Sequence, residues 1–328
     1  DPATGESLGL LIEEARTNYI SNENVTLTAG NNPITITPNA FTAPDGSNTA
    51  IRVQGTNGYV NIQTGKSSVP AGSTLTASFY IYSAVELPRC RSRVVYGSGH
   101  FDTVKAVPAG KWTRFVGTAK VDDTGTDTDF SFRPFAAINS FGVTPLDCYI
   151  WGFQVEVGSF ATSYIATTTS PATRAADIAE ITGTDFSSWY NQSEGTVFSS
   201  VSPVPDGERR AYVFSDGTNN VRIGHTVQDN GFSLFFRTNN VITSLASNLS
   251  GLPKSLKACI AYKSGSSSGV IDGVLKDSST TLDVPNTINQ LSLGSQNFSS
   301  DGYLNGHISR LAYFPTRLPD ATLQNITT

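Results

Sequence analysis

Apolar and polar positions alternate over short spans along the whole chain, which is the period of a strand with one buried face. The stretches "STLTASFYIY" (73–82), "WTRFVGTAKV" (112–121) and "DFSFRPFAAI" (129–138) alternate or are rich in β-branched and aromatic residues, so each predicts a strand. "VPAG" occurs at 69–72 and again at 107–110, and each copy precedes a strand. Proline presets φ and glycine permits a positive one, so the tetrapeptide predicts a recurrent turn. Nothing else around the two copies matches, and they are not read as a repeat.

The most aromatic span is "DCYIWGFQVEV" (147–157). Simple alternation puts Tyr149, Trp151, Phe153, Val155 and Val157 on one face and Gln154 and Glu156 on the other. This is the pattern of a sandwich strand closing a domain. Gly158 ends it, and "ATTTSPAT" (166–173) cannot form a core, which predicts a linker or a surface strap. Strand patterns resume at "GTVFSSVS" (195–202), "RRAYVFSD" (209–216), "NVRIGHTV" (220–227), "GFSLFFRT" (231–238) and "NVITSLAS" (240–247). The joints "SDGTN", "QDNG" and "TNN" carry the Asn, Asp and Gly chemistry of antiparallel hairpins. "LKACIAYKS", "SGVIDGVLKD", "INQLSLGS" and "GHISRLAYFP" follow. One short helix is predicted at the C-terminus, where Pro319 and Asp320 precede "ATLQNI".

This pattern predicts an all-β chain of two tandem β-sandwich (jelly-roll) domains. The first spans 1–170, a linker 171–185, and the second 186–328. Composition agrees: charged residues are 15%, too few for long helices, and hydrophobic residues are 38%, enough for a core. A net charge of −5 argues against nucleic-acid binding, and no run of 18 apolar residues suggests membrane insertion. Cys90, Cys148 and Cys259 are odd in number and far apart, which predicts buried free thiols and not a disulfide framework or a zinc site. Because the chain starts at Asp1 and contains no methionine, it is expected to be a fragment or a processed product.

Five stretches, taken in order, resemble bacteriophage tail and virion proteins. They are "GLLIEEARTNYISN" (9–22), "VPAGSTLTASFY" (69–80), "GKWTRF" (110–115), the segment 147–177, and "LNGHISRLAYFPTRLPDATLQNIT" (304–327). The resemblance covers nearly the whole chain and is most specific in the last two stretches. It implies a carbohydrate-binding-module-like jelly roll followed by a concanavalin A/laminin-G-like sandwich, in a tail fibre or another host-facing appendage. Related secreted modules often hold calcium through an aspartate in the closing strand. Here that place reads Tyr149-Ile150-Trp151-Gly152, without the ligand.

The candidate chemistry is sparse. Arg89, Arg91 and Arg93 share one strand face by alternation and can clamp an acidic glycan or a phosphate. Pairing with Glu86 and Asp102 is the plainer reading. Tyr80, Tyr82 and Tyr96 are the candidate sugar-stacking rings, with Tyr149 beside them, whereas Trp112 and Trp151 read as core. Asp122, Asp123, Asp127 and Asp129 surround Gly125 in an oxygen-rich loop that would suit calcium, although no EF-hand spacing is present and an acidic hairpin tip is the plainer reading. His100, His225 and His307 show no metal spacing, and there is no G-x-S-x-G elbow. The acidic strand order E-x-D-x-x-E of concanavalin A-like glucanases is also missing, so no enzymatic activity is expected.

The expected function is attachment of a virion to a host cell-surface glycan, in a homo-oligomer, a trimer by resemblance, that also contacts other virion proteins. The expected location is the extracellular-facing surface of a phage tail or capsid. The alternatives are a decorating protein that binds only its virion neighbours, and a secreted bacterial glycan-binding protein.

Overall fold

The computed structural model describes residues 7–20, 26–29, 34–56, 60–67, 72–96, 99–120, 128–135, 145–203, 207–228, 231–247, 255–296 and 302–328. The chain is almost entirely β-structure and forms two compact units, each a β-sandwich. Ala15–Ala175 belong to the first unit, and Ser7–Glu14 with Ala176–Thr328 belong to the second.

In the first unit one five-stranded antiparallel sheet runs in the spatial order Thr113–Lys120, Thr74–Tyr82, Leu146–Val157, Ala50–Gly55, Ile34–Phe41. The facing sheet runs Thr26–Ala29, Val60–Ser67, Thr128–Phe135, Leu87–Tyr96, Gly99–Val107. Alternation works as expected along Thr74–Tyr82, where Leu75, Ala77, Phe79 and Ile81 point into the core between the sheets. Leu87, Cys90 and Val107 meet them from the facing sheet. Cys90 and Cys148 are free thiols in this core, and burial pushes Cys90 up to about 12 and Cys148 well above the ordinary thiol range.

The strand Leu146–Val157 departs from simple alternation. Trp151 pairs with Tyr80 but Gln154 pairs with Ser78, so the strand carries one extra residue at Gly152, whose φ is +71°. A bulge of this kind flips the phase of every later side chain. Cys148, Ile150, Phe153 and Val155 therefore face the core together, while Tyr149 and Trp151 lie on the outer face with Gln154 and Glu156. The single face expected for Tyr149, Trp151, Phe153, Val155 and Val157 is thus split by the bulge.

The segment after Gly158 is a strap held on that outer face. Gln154, fully buried, accepts a hydrogen bond from Ile165 N at 2.7 Å and donates to the carbonyls of Thr162 and Ser163. Glu156, also fully buried, accepts from Thr162 N at 3.0 Å and from the Thr162 hydroxyl. The two polar residues that alternation leaves on the outer side are therefore satisfied by the strap's backbone and by the Thr162 hydroxyl. Ala172–Arg174 then pairs with Arg16–Asn18.

The second unit packs two six-stranded antiparallel sheets face to face. One runs Leu10–Ile12, Gly306–Phe314, Glu194–Ser202, Leu256–Lys263, Ser267–Ile271, Val274–Ser279. The other runs Glu180–Thr182, Gln290–Leu293, Arg209–Ser215, Arg222–Gln228, Gly231–Thr238, Val241–Ser247. The edge strand of the first of these sheets, Leu10–Ile12, precedes every described strand of the first unit. The boundary expected at 170 and 186 describes neither this strand nor Glu180–Thr182 and the short helix Gly183–Ser187, which lie where a linker was expected. The C-terminal helix Asp320–Thr327 begins after Pro319 and packs Leu323 against Phe198, Cys259, Ala261 and Val270. No helix among the described residues is long and apolar enough to cross a membrane.

Candidate functional site

The outer face of the first unit's Leu146–Val157 sheet divides into a covered half and an open half. The strap covers Gln154 and Glu156. Beyond it the face is paved with aromatic rings from five elements: Phe41, Tyr80, Tyr82, Trp112, Tyr149, Trp151 and Tyr164. The rings touch in two groups, Tyr164 with Trp151 and Tyr80, and Phe41 with Tyr82, Trp112 and Tyr149. Tyr164 and Trp151 lie 4.3 Å apart by centroid, Trp151 and Tyr80 5.6 Å, Phe41 and Tyr149 4.4 Å, and Phe41 and Tyr82 4.7 Å. All but Trp151 are partly exposed. These rings pack against one another and against Ala43 and Ala50, on the solvent side of a sheet whose other side already holds a full core, so their exposed faces are surplus to the fold.

Planar polar groups border the rings. Arg52 donates to both carboxylate oxygens of Asp147, at 2.9 and 2.6 Å, and Gln54 donates to the same carboxylate at 3.1 Å. The Arg52 guanidinium lies 6.0 Å from the Tyr149 ring centre. Its hydrogen bonds hold the Asp147 carboxyl below the usual range, so Asp147 is an ionised acceptor and not a proton donor.

At the other end the rings open into a groove of about 470 Å³. Trp151, Gly152, Phe153, Tyr164 and Ile51 form its apolar side, and Asn39, Asp45, Ser47 and Thr49 its polar side. The Trp151 indole N–H donates to the Thr49 hydroxyl at 3.0 Å, which fixes the ring angle. Asp45 accepts from both the backbone N–H and the hydroxyl of Ser47, an Asx turn that stiffens the rim.

The sequence candidates fall on different sides of this unit. Tyr80 and Tyr82 belong to the aromatic face. Arg89, Arg91, Arg93 and Tyr96 lie on the facing sheet, so the tyrosine and arginine candidates do not share one site. Arg91 and Arg93 both donate to Asp102, and these bonds, Arg93's foremost, hold its carboxyl well below the usual range. Arg89 is exposed. The side chain of Tyr96, that of Asp129 in its strand, and Asp122, Asp123 and Asp127 lie outside the described residues. Among the described residues no three His, Cys, Asp or Glu side chains come together as a metal site. Trp112 and Trp151, read as core from the sequence, stand on the outer face, where Trp151 is buried as read, in a small apolar cluster with Ala43 and Ala50, and Trp112 is half-buried, while Arg52, Asp147 and Phe41 were missed. The signal available for them was the Gly after Trp151, since glycine inside a strand pattern marks a bulge.

In the second unit His225 is fully buried in the core, its Nδ1 3.0 Å from the Ser199 hydroxyl of the facing sheet. Burial lowers it to about 3. It is a neutral core histidine with no access to substrate.

No family profile and no curated protein matches the sequence. Solved structures with a similar fold are β-sandwich domains, each aligned to less than half of this chain. Domain 4 of AbnA, a GH43 extracellular arabinanase from Geobacillus stearothermophilus solved with arabinotriose, is 16% identical over 42% of this chain and 68% of its own, with a TM-score of 0.36. The C-terminal CBM6 of LamC from Zobellia galactanivorans is 15% identical over 43% of this chain and 99% of its own, with a TM-score of 0.29. A heptameric SAP-like pentraxin from Limulus polyphemus is 12% identical over 41% and 70%, with a TM-score of 0.35.

Proposed function

We propose that the protein is a non-enzymatic adhesin that binds a glycan on the aromatic face of its first unit. One observation carries this reading: two adjoining groups of rings, all but Trp151 partly exposed, on the solvent side of a complete sandwich, bordered by Arg52, Asp147 and Gln54. A pyranose has one apolar face and a rim of hydroxyls, so it calls for a flat ring beneath and planar hydrogen-bonding groups at the edge. An aliphatic or charged ligand would use only one half of that surface.

Binding without cleavage fits the same geometry. Hydrolysis of a glycosidic bond needs a carboxylic acid held protonated beside a second carboxylate. On this face Asp147 is locked as an anion by Arg52. The finer reading is a phage tail fibre or other host-facing virion appendage, trimeric and outward-facing, and it rests on the sequence resemblance.

The test is a glycan array with the whole protein, repeated with Tyr149→Ala, Arg52→Ala and, as a control, Arg91→Ala on the other sheet. Binding lost in the first two and kept in the third is the expected result. Binding that follows Arg91 would move the site to the facing sheet. No binding to any glycan would favour a decorating role among virion neighbours.

A further inference from the structure

We infer that the second unit carries its own binding pocket, for a single neutral sugar residue, at the edge of the sandwich. It is a hollow of about 310 Å³ between the last hairpin of one sheet and the segment that leaves the edge strand of the other. Thr238, Asn239, Val241 and Thr243 come from the hairpin, and Ser279, Thr281, Leu282 and Asp283 from that segment.

Both walls are fixed by the fold. Thr238 pairs with Val241 across a two-residue turn whose Asn239 and Asn240 have φ of 48° and 67°. That is a primed hairpin turn, and asparagine tolerates both positions. Across the gap, the Thr238 hydroxyl donates to the Asp283 carbonyl at 3.4 Å, and Leu282 is buried in the core. Phe236, at 1% exposure, and Leu282 close the floor with carbon.

The lining decides the ligand class. Asn239, Thr243 and Asp283 line the hollow, are exposed, and make no side-chain hydrogen bond or ion pair among the described residues, so their polar groups are available to a ligand. Asp283 can accept two hydroxyls, and Asn239 can donate and accept. No lysine or arginine lines the pocket, so an anionic sugar would meet Asp283 without a compensating cation. A neutral polyol with an apolar face fits the carbon floor and the polar rim together. The exposed Val241, at 66%, supplies an outer lip. The volume is that of a monosaccharide pocket and not of a chain-length groove.

The test is saturation-transfer and amide-shift NMR on the whole protein with methyl glycosides of glucose, galactose, mannose and N-acetylglucosamine, and with glucuronic acid as the charged probe. The protein carries Tyr149→Ala to silence the first unit. Millimolar binding of at least one neutral probe, with shifts at Asn239, Thr243 and Asp283, is expected. Thr243→Trp, which fills the hollow, should weaken binding by about ten-fold or more, and Asp283→Asn by less. No shift at these amides with any probe would overturn the proposal, as would glucuronic acid binding as well as the neutral probes. Because the first unit is silenced, either result leaves the aromatic face untouched.

Discussion

The two sandwiches treat the outer face of a sheet in opposite ways. In the second unit Phe198, Cys259, Ala261 and Val270 stand on that side, and the chain covers them with its own C-terminal helix through Leu323. In the first unit the corresponding apolar residues are rings, and the strap covers only the half that presents Gln154 and Glu156. Aliphatic carbon can be satisfied only by more carbon, so the chain must supply the lid. Tyrosine and tryptophan tolerate partial exposure, since one side of the ring is apolar and its tip is polar. Covering builds stability, and rings left open stay available to a ligand.

The widest test of this contrast removes a cover. Truncation before Pro319 should expose the outer face of the second unit and destabilise it by several kcal/mol, by the rule of about 25 cal/mol per Å² of apolar surface. Deleting residues 1–14 should act on the same unit, since Ile12 is buried, Gly294 packs directly on it, and Asn305 holds Glu14 through both its amide atoms. Expression of 186–328 alone should therefore give a less stable β-protein than the same fragment with 7–14 and 176–185 restored. Two-step thermal unfolding with only one step shifted is the readout, and equal stability of the fragments would break the assignment.

Acid should separate the units next. His225 is held neutral in the fold at about 3, while the unfolded chain takes up its proton near the ordinary value of 6.5. Stability from this residue is therefore complete above pH 6.5 and falls by about 1.4 kcal/mol per pH unit below it, levelling off near 3. In the first unit Asp102 and Asp147 have lowered values, so their contribution is present above the usual carboxylate range and is lost only as the pH falls through and below it. Denaturation curves between pH 7 and 4 should show the second unit weakening first. His225→Gln should flatten that slope, and a slope unchanged by it would rule out this cause.

Binding effects are smaller. Trp151→Ala removes the ring between groove and platform and should cost about 1–3 kcal/mol of affinity, roughly 5- to 150-fold, read by calorimetry with whichever glycan the array selects. The first unit's melting step should shift less than the second unit's does on helix removal. Smallest is Gly152→Ala. Its φ is +71° and a Cβ would lie 3.2 Å from Tyr80, so about 1 kcal/mol of strain is expected in the first unit's melting step, with weaker binding as the bulge relaxes.

Much of the fold can be read along the chain. The strands at 74–82, 113–120, 209–215 and 231–238 fall where alternation puts them, because each has one buried face and a turn at either end. "SGVIDGVLKD", read as one run, is two strands joined at Asp272-Gly273, both with positive φ. The aromatic face was half legible. Its tyrosines stood out as amphipathic rings, but one bulge at Gly152 reverses the phase of the strand that carries Tyr149 and Trp151. The pairing of Arg52 with Asp147 joins residues 95 apart in sequence, and no local pattern records it. Neither does "GLLIEEARTNYI" reveal that its first strand and its second belong to different units, since both halves read simply as short apolar runs.

That early crossing has a consequence for the order in which the molecule is made. The hydrogen bond from Glu14 N to Asn305 spans 291 residues, so the strand Leu10–Ile12 leaves the ribosome long before its partner Gly306–Phe314 has been synthesised. Arg16–Asn18 waits as well, for Ala172–Arg174. During that interval Leu11 and Ile12 travel as bare apolar side chains beside a first unit that is already assembling. Two nascent copies lying close together would each hold an unsatisfied strand and, soon afterwards, an acceptor for it. Exchange of this one strand between copies is then a kinetic alternative to closure within a single chain, and crowded polysomes would favour it.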